Sequence, residues 1–530
     1  MRPIHPTQRE ALFNVAATRL IEQQAAAKRP PHHLMALAGM AVARLASALS
    51  PHARCIWVAC GPGNNGGDGL VAATHLHQWA QARGGSPQVV VTHWTASHTQ
   101  RLPADAHHAL HEAKAAGVLF ADEPPEAFDL AIDAVFGIGL ARAPEGLAAQ
   151  WIARLRNTPQ TVLCVDVPSG LDADSGSWHP LPAETLSAAG ARHTLSLLTI
   201  KPGLFTGSGR DAAGQVWFDD LQTSPSPDHL PTAYLNGWTD AAGVRATQPH
   251  VKHKGSFGDV LVLGGQDMAV NGSGMTGAAV LAARAALHAG AGRVYVGLLE
   301  APPPAANAVR WDPESPELMF RDVNTLLQSP LLTTAAVVCG CGGGTEVAKV
   351  LPQVLSLAHT LVLDADALNA IANDSALQAQ LSQRSSKGWL TVLTPHPLEA
   401  ARLLGCSTDE LMADRLLAAQ SISDRFTAVC VLKGSGTVIS APHQTPLINP
   451  SGNASLGTAG TGDVLAGMLG TALAPPGSTP EQRQDRLAQA VFQHGWLADL
   501  WHQPLETQSP GFKDTPALSA SRLASQVRPI

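Results

Sequence analysis

The chain has no apolar run of spanning length that is free of glycine, proline and charge, so no transmembrane helix is expected. Its first residues, MRPIHPTQREALF, lack the apolar segment of a signal peptide, and we expect none. Basic residues are also in deficit, since 35 Lys and Arg against 42 Asp and Glu leave a net charge of −7. That balance argues against nucleic acid or an anionic membrane as a partner.

Cysteine is scarce and scattered. The 7 cysteines are odd in number, and most lie in apolar runs that resemble buried strands. Such a pattern favours reduced core residues of a cytoplasmic protein over a disulfide framework. Cys339 and Cys341 are too close together and lack a second pair, so a zinc site is not expected.

The 530 residues exceed one ordinary hydrophobic core, which predicts two domains. Short apolar runs alternate with Ala- and Leu-rich helical stretches, and continuous hydrophobicity in the runs predicts parallel sheets covered on both faces, an α/β fold. Residues 221–240 are rich in Pro and Ser without any period, so the linker is placed near there. The predicted strands are 55–59, 88–92, 130–135, 161–166, 259–263, 294–298, 335–339, 360–364, 390–394 and 428–432.

Residues 457–467, GTAGTGDVLAG, are the most informative segment. They place Gly460 and Gly462 in a turn and Asp463 at the start of a helix predicted over 464–473. The free N–H groups of such a helix start attract phosphate, and a carboxylate there can take a proton from a substrate hydroxyl. Together they suit phosphoryl transfer to an alcohol. The alternative is a glycine turn in which Asp463 only caps the helix.

A second glycine-rich segment, 61–69, follows the strand at 55–59 and precedes a helix predicted over 70–82. This order suits a phosphate or pyrophosphate, although the spacing matches neither the Rossmann fingerprint nor the P-loop. The alternative is a flexible surface loop. Asp133 and Asp166 end two further strands, and we expect the three strand ends to converge on one site. Either Asp by itself could be a loop N-cap.

The motifs GPGNNGGDGL, DAVFGIGLAR and VDVPSGLDADSG resemble those of the NAD(P)H-hydrate epimerase domain over residues 10–220. That family interconverts the R and S forms of the damaged cofactor that carries a hydroxyl on its nicotinamide ring. The resemblance implies a Rossmann-like three-layer α/β/α domain with Asp166 as acid/base and a potassium ion held by Asn65, Asp133 and Ser169. The substrate-binding residues that it implies are Asn64, Asn65, Gly66, Gly67, Asp68, Gly137, Ile138, Gly139, Leu140, Ala141, Arg142, Ala143 and Asp166.

Polar residues also follow several strands of the second half. The strand at 360–364 leads into Asp364 and Asp366, and His396 lies between a strand and a helix. His396 could hydrogen-bond a ligand or serve only the helix start. Residues 433–437, KGSGT, lie between two apolar runs and could form a hairpin turn or cradle a nucleotide phosphate.

The segments HKGSFGDVLVLGG, LDADALN, TPHPLEAARLL, VLKGSGTVI and TAGTGDVLAG resemble, in order, those of the ADP-dependent NAD(P)H-hydrate dehydratase, a ribokinase-superfamily domain. The resemblance implies a ribokinase-like α/β/α domain that uses ADP as phosphoryl donor with Mg²⁺, and Asp463 as the base. The residues implied to contact the hydrate are Ala278, Gly342, His396 and Asp463. Those implied to contact the nucleotide are Lys433, Gly434, Ser435, Gly436, Thr437 and Gly462.

One departure concerns residues 340–344, which read GCGGG where the family usually has Gly-Pro-Gly-Leu-Gly. The resulting hypothesis is a bifunctional repair enzyme with an epimerase domain at 1–225, a linker at 226–245 and a dehydratase domain at 246–530. Its substrates would be NADH hydrate, NADPH hydrate and ADP, and its kinase-like half favours a homo-oligomer. The alternative is a ribokinase-superfamily kinase for a vitamin precursor with an N-terminal nucleotide-binding module.

Overall fold

The computed structural model describes residues 1–94, 102–140, 142–180, 190–238, 250–299, 311–501 and 516–530. The chain forms two compact units. The first comprises Met1–His5 and Glu10–Ala233, and the second comprises Pro6–Arg9 and Tyr234–Ile530. The main division falls between Ala233 and Tyr234. No helix among the described residues has both the length and the apolar character needed to cross a membrane.

The first unit is built on an eight-stranded sheet in the order β1-β9-β8-β7-β6-β3-β4-β5, parallel except where β1 meets β9. Its strands are β1 (Arg2–Pro3), β3 (Cys55–Cys60), β4 (Gln88–His93), β5 (Leu119–Ala121), β6 (Leu130–Ala134), β7 (Thr161–Val165), β8 (Arg192–Leu197) and β9 (Gln215–Asp219), and a further short strand, β2 (Ala11–Leu12), lies outside this sheet. The helices are α1 (Val15–Ala27), α2 (His33–Leu49), α3 (Asn64–Ala82), α4 (Ala104–Ala115), α5 (Gly146–Asn157), α6 (Gly209–Ala213) and a 3₁₀ turn, Pro202–Phe205.

Successive residues of β3 face opposite layers. Ile56 and Val58 belong to a buried cluster with residues of α2, α3 and α4, while Trp57 packs with Trp151 and Ile152 of α5. Because side chains alternate across a strand, a strand covered on both faces is apolar at every position. The first unit therefore has the three-layer α/β/α arrangement that the sequence predicts.

The second unit has a larger sheet, with the order β13-β12-β11-β14-β15-β16-β17-β18-β19-β10 among its own strands. The strands are β10 (Ala233–Leu235), β11 (Asp259–Gly264), β12 (Arg293–Leu298), β13 (Met319–Phe320), β14 (Ala336–Cys339), β15 (Thr360–Leu363), β16 (Leu390–Leu393), β17 (Val429–Leu432), β18 (Val438–Ser440) and β19 (Leu447–Ile448). Only β18 runs antiparallel to its neighbours. Val260 and Val262 of β11 face one buried cluster, and Leu261 and Leu263 face another.

The helices of the second unit lie on both faces of this sheet. They are α7 (Met268–Asn271), α8 (Thr276–His288), α9 (Val323–Leu327), α10 (Leu331–Thr334), α11 (Val347–Leu357), α12 (Asp366–Ala372), α13 (Ser375–Gln383), α14 (Pro397–Leu404), α15 (Thr408–Ala413), α16 (Arg415–Phe426), α17 (Thr461–Leu473), α18 (Pro480–Trp501) and α19 (Ala520–Gln526). Three 3₁₀ turns are Lys254–Phe257, Ser385–Lys387 and Ala454–Gly457.

All ten predicted strands are present, with ends within one residue of those expected. The prediction missed the longer strands β8 and β9 of the first unit, as well as the short strands β1, β2, β5, β10, β13 and β19. In β8 the buried positions include Thr194 and Ser196, whose hydroxyls donate to the Ala213 and Thr199 carbonyls at 2.9 Å each. Buried polar residues of this kind make their hydrogen bonds locally. A strand that contains them does not appear in the sequence as a continuous apolar run.

Strand order reverses between β3 and β6 in the first unit and between β11 and β14 in the second. In open α/β sheets, ligands bind beyond the carboxyl ends of the strands at such a point. The polar segments singled out in the sequence follow these strands, so each unit has one expected site.

Candidate functional site

A cavity of about 640 Å³ lies at the carboxyl ends of the central strands of the first unit. Residues from the segments after β3, β6 and β7 line it, as the convergence of strand ends predicts. Predicted residues on its wall are Asn64, Asn65, Asp68, Gly137, Ile138, Gly139, Leu140 and Asp166. Gly66, Gly67, Arg142 and Ala143 are not among the lining residues, and Ala141 lies outside the described residues.

Asp166 is held on the cavity wall by a buried ammonium. Lys201 Nζ forms a short ion pair with Asp166 Oδ1 and also donates to the carbonyls of Leu197 and Thr199 at 2.7 and 3.0 Å. The Leu197 N–H donates to the same carboxylate oxygen at 3.1 Å. Asp166 has φ of 67°, a left-handed conformation that non-glycine residues rarely adopt. Such a conformation persists where surrounding contacts enforce it, often at a functional site.

The glycine-rich segment of this unit is not the loop that was predicted. Helix α3 begins at Asn64 rather than at residue 70, so Gly66, Gly67 and Gly69 are helical. They are needed for close packing, since a Cβ atom at Gly66 would lie 1.9 Å from the carbonyl oxygen of Gly61. The first turn of α3 therefore presents Asn64, Asn65 and Asp68 to the cavity on a rigid element.

Several acids surround the cavity. Burial, followed by the charge of Asp166, raises the pKa of both Asp68 and Glu22, the latter on α1. Asp105 also lines the cavity and binds His32 Nδ1 at 2.6 Å. Lys201 is thus the ammonium at the centre of a mostly acidic wall.

Of the three residues implied to hold potassium, Asp133 and Ser169 bind each other, and Asn65 lies on the cavity wall next to Gly137. Asp133 is buried and accepts from the Ser169 hydroxyl at 2.5 Å and the Ser169 N–H at 2.9 Å. The Ser169 Oγ atom lies 3.1 Å from the Phe136 carbonyl oxygen. A Cβ atom at Gly137 would lie 3.0 Å from Asn65 Oδ1, and Asn65 Nδ2 is buried without a hydrogen-bond partner. Carboxylate, hydroxyl, amide and carbonyl oxygens fit a hard monovalent cation.

In the second unit, an ion pair lies at the carboxyl ends of β15 and β17. Lys433 Nζ donates to Asp364 Oδ1 at 2.7 Å, and the Thr394 hydroxyl donates to the same oxygen at 2.6 Å. Asp364 is 1% exposed. Burial by itself would lower the pKa of Lys433, but Asp364 and Glu399 outweigh it and the pKa is raised. A charged ammonium is therefore fixed in this site.

Asp463 lies in the first turn of α17, which begins at Thr461 rather than at residue 464. Gly460 precedes it with φ of 91°, so this position requires glycine. Oxygens of Asp463 and Asp364 and the sulfur of Cys341 all lie within 4.8 Å of one another. Burial, followed by the charge of Asp364, raises the pKa of Asp463 to about 6. A carboxylate with this pKa is suited to act as a base near neutrality.

Other predicted residues lie next to this group. A Cβ atom at Gly462 would lie 3.2 Å from Lys433 Nζ, so the glycine-rich turn and the lysine share one space. A Cβ atom at Gly342 would lie 2.7 Å from the Cβ atom of Ala278, which places these two residues side by side. The structure thus brings together the N-terminus of α17, the ammonium and the small residues expected to approach a ligand.

Residues 433–437 form the turn of the β17–β18 hairpin, where Leu432 pairs with Val438. The hairpin alternative is therefore correct in geometry, and it carries Lys433 into the site. Buried Arg415 supports the turn by donating to the carbonyls of Leu432, Lys433 and Gly436 at 3.4, 3.2 and 3.3 Å. The turn is therefore fixed on one side by Arg415.

His396 caps helix α14. Its Nδ1 atom accepts from the N–H groups of Leu398 and Glu399 at 3.1 and 3.3 Å, and Glu399 accepts from the His396 N–H at 2.8 Å. Burial, followed by Lys433, lowers the pKa of His396, and burial raises that of Glu399 to about 7. These hydrogen bonds support the alternative in which His396 serves the start of the helix. A ligand could contact only the part of the imidazole ring that the cap does not use.

Two residues central to these sites had no role in the prediction. Lys201 follows β8, the strand that the hydrophobic pattern missed, so its approach to Asp166 was not foreseen. Asp364 was noted at the end of its strand, but its pairing with Lys433 spans 69 positions and depends on strand order. The sequence signal available was a charged residue directly after a strand for Asp364, and one four residues beyond a strand for Lys201.

Comparison with known proteins matches both units. A family model described as YjeF-related protein N-terminus matches residues 31–203, and one described as NAD(P)H-hydrate dehydratase matches residues 260–512. The chain is 34% identical over 483 residues to a bifunctional NAD(P)H-hydrate repair enzyme of Escherichia coli, covering 88% of this chain and 85% of that one. It is also 34% identical to a protein of the same description from Coxiella burnetii, covering 88% and 90%.

Among solved structures, an ADP/ATP-dependent NAD(P)H-hydrate dehydratase from Bacillus subtilis, co-crystallised with ATP and Mg²⁺, is 28% identical. It covers 52% of this chain and 89% of its own, with a TM-score of 0.40.

Proposed function

The chain belongs to the bifunctional NAD(P)H-hydrate repair enzymes, and from that premise we propose that its first unit epimerises R and S NAD(P)H hydrate while its second unit dehydrates the S form. ADP is the phosphoryl donor, and AMP and phosphate are the by-products. One observation carries the dehydratase half: Asp463 lies at the N-terminus of α17 beside the Asp364–Lys433 pair. A base, an anion-binding helix start and a fixed ammonium then share one site.

Dehydration proceeds in two steps. Asp463 takes the proton of the ring hydroxyl, whose oxygen attacks the β-phosphorus of ADP as the bond to the AMP oxygen breaks. The N–H groups at the start of α17 and the Lys433 ammonium stabilise the charge that develops on the transferred group. The phosphate ester then loses phosphate and a ring proton, which restores the dihydronicotinamide. This sequence explains why a dehydratase has a kinase-like site.

Epimerisation inverts the hydroxyl-bearing carbon, so a bond to that carbon must break and re-form. As Asp166 takes the hydroxyl proton, the bond from this carbon to the ring nitrogen opens to give an aldehyde, and the proton passes to the nitrogen; re-addition of the nitrogen to the other face restores the ring. The hydrogen bonds from Lys201 and Leu197 both end on Asp166 Oδ1, so we assign proton exchange with the substrate to Oδ2. Lys201 fixes the position of the Asp166 carboxylate, and the first turn of α3 binds the substrate beside it. Asp166 is therefore the catalytic acid/base, and Lys201 its positioning residue.

Two ions complete the proposal. Asn65, Asp133 and Ser169 would hold K⁺, which would order the first turn of α3 for the substrate diphosphate. The group formed by Cys341, Asp364 and Asp463 is a poor magnesium site, because a thiol is a soft ligand and Lys433 already occupies Asp364. Mg²⁺ would therefore enter on the nucleotide phosphates.

The test is near-ultraviolet absorbance after the protein is added to mixed R and S NADH hydrate with Mg²⁺, K⁺ and either ADP or ATP. Complete recovery of NADH with ADP would support both activities and the donor. Recovery that stops near half would leave the epimerase half inactive. A stable phosphorylated product made from ATP, without NADH, would replace the proposal with the vitamin-precursor kinase.

Three further features belong to the proposal. The substrates are NADH hydrate and NADPH hydrate, the 7 cysteines with free thiols suit a cytoplasmic protein, and the protein assembles as a homo-oligomer. Size-exclusion chromatography with light scattering would test the last point.

A further inference from the structure

Cys341 occupies a constrained position in the second site, between two glycines that close contacts require. A Cβ atom at Gly340, with φ of 120°, would lie 2.0 Å from the carbonyl oxygen of Asp364. One at Gly342, with φ of 58°, would lie 2.6 Å from the carbonyl oxygen of Met275. The backbone on both sides of Cys341 is therefore fixed, and its side chain is 0% exposed.

The thiol of Cys341 lies between two carboxylates. Its Sγ atom donates to Asp364 Oδ2 at 3.8 Å, and an oxygen of Asp463 is within 4.8 Å of it. The other oxygen of Asp364, Oδ1, already accepts from Lys433 and Thr394. The S–H group is thus a proton donor placed where the carboxylates of Asp364 and Asp463 approach each other. It lies in residues 340–344, the segment in which this chain departs from its family.

We propose that Cys341 is a positioning residue for dehydration: its thiol donates to Asp364 Oδ2, the oxygen that Lys433 leaves free, and so offsets the charge that Asp364 presents to the Asp463 carboxylate. The proposal rests on the assignment of Asp463 as the base. It explains how two acids are kept close together when only one of them, Asp364, is paired with the lysine.

The charges that face Asp463 come from several elements. Asp364 after β15 and Asp366 on α12 raise its pKa, while the Cys341 thiol and Lys433 after β17 lower it. Burial raises the pKa of Cys341 well above its usual value, so the sulfur remains a protonated donor. His494 on α18 binds the Thr461 carbonyl at 2.8 Å, and burial lowers its pKa to about 4, so it adds no charge near neutrality.

The test compares Cys341→Ala with Cys341→Ser in the full chain. kcat/KM for S-NADH hydrate at saturating ADP is measured from pH 5 to 9. Loss of the donor in Cys341→Ala should move the acid limb to higher pH by up to about one pH unit, because hydrogen bonds to the charged form favour a carboxylate's ionisation. Cys341→Ser keeps a donor, so its acid limb should stay at the wild-type position or move lower. Cys339→Ala, which removes a buried thiol two residues away, should leave the limb in place.

Each outcome is decisive. A role only in packing would lower kcat/KM at every pH without moving the limb, and would overturn the inference. Should Cys341→Ala fail to fold, a Cys341→Ser limb above that of wild type would overturn it, and one at or below that of wild type would support it. Absence of NADH formation by the wild-type protein would instead reject the dehydratase function itself.

Discussion

The two sites use the same acid in opposite surroundings. Asp166 of the first unit follows a strand in a left-handed conformation and is paired with the buried Lys201. Asp463 of the second unit lies at a helix start, and the nearest ammonium, Lys433, binds Asp364 instead. The first acid is thus held by a cation, whereas the second is placed against another anion.

This difference matches the chemistry proposed for each site. The ammonium of Lys201 fixes one oxygen of Asp166, which leaves the other oxygen free to take and return a proton within one cycle. Burial, and after it the charge of Asp364, destabilises the charge on Asp463, whose pKa of about 6 makes it a stronger base while leaving it mostly ionised at neutral pH. Surroundings, rather than residue type, therefore decide what each aspartate can do.

The largest expected effect is the separation of the two activities. Asp463→Asn should lower dehydration by about 10²–10⁴-fold, the usual contribution of a general base, and leave epimerisation unchanged. Asp166→Asn should do the reverse. NADH formation measured by absorbance, and R/S interconversion measured by chromatography, would check both variants.

Each variant serves as the matched control of the other. Loss of both activities in either one would contradict independent sites. Epimerisation that survives in Asp166→Asn would remove Asp166 from its assigned role.

The next effect concerns stability. Lys201→Met leaves the Asp166 charge buried without its partner, and breaking a buried pair in this way costs about 3–5 kcal/mol of unfolding free energy. Chemical denaturation followed by fluorescence would measure it. The double variant Asp166→Asn, Lys201→Met should recover a large part of the loss. Equal instability of the single and double variants would mean that packing, not charge, holds Lys201.

The pH dependence of dehydration further tests the contrast between Asp463 and Asp166. Because Asp463 must be deprotonated to act, kcat/KM for dehydration should fall about tenfold per pH unit below pH 6. Lys433→Met removes a positive charge that lowers the pKa of Asp463, so the acid limb should move to higher pH. A limb that stays in place in Lys433→Met would show that the group titrating there is not Asp463.

Much of the fold could be predicted because hydrophobic runs and glycine-rich segments are local signals. The ten predicted strands were found this way, and the position of Asp463 at a helix start followed from residues within a few positions of it. The length of α3 was missed because glycines usually break helices, and here they allow close packing instead.

The rest depended on contacts between distant parts of the chain. Lys201 meets Asp166 across 35 positions, and Lys433 meets Asp364 across 69. Both ion pairs depend on the order of the strands in the sheet, and no local sequence pattern contains that order. A sequence can thus indicate which acids lie near a site. Which of them pair with a lysine, and so how strong they are as acids, became clear only from the structure.

The smallest expected effect is a difference in stability between alanine substitutions in the two glycine-rich segments, at Gly66 and at Gly462. A Cβ atom at Gly66 would lie 1.9 Å from a backbone oxygen, so Gly66→Ala must shift α3 and should cost about 1–3 kcal/mol. At Gly462 the obstacle is the flexible end of Lys433, 3.2 Å away, and alanine favours the helix. Gly462→Ala should therefore change stability by less than about 1 kcal/mol.

Gly462→Ala should still raise the KM for ADP several-fold, because the added methyl group and the displaced ammonium obstruct the phosphate. Thermal denaturation and ADP titration of the two variants would measure both quantities. An unchanged KM in Gly462→Ala would remove the start of α17 from the nucleotide site. A KM increase together with intact folding would instead show that glycine at this position is needed for ligand approach, whereas Gly66 is needed for packing.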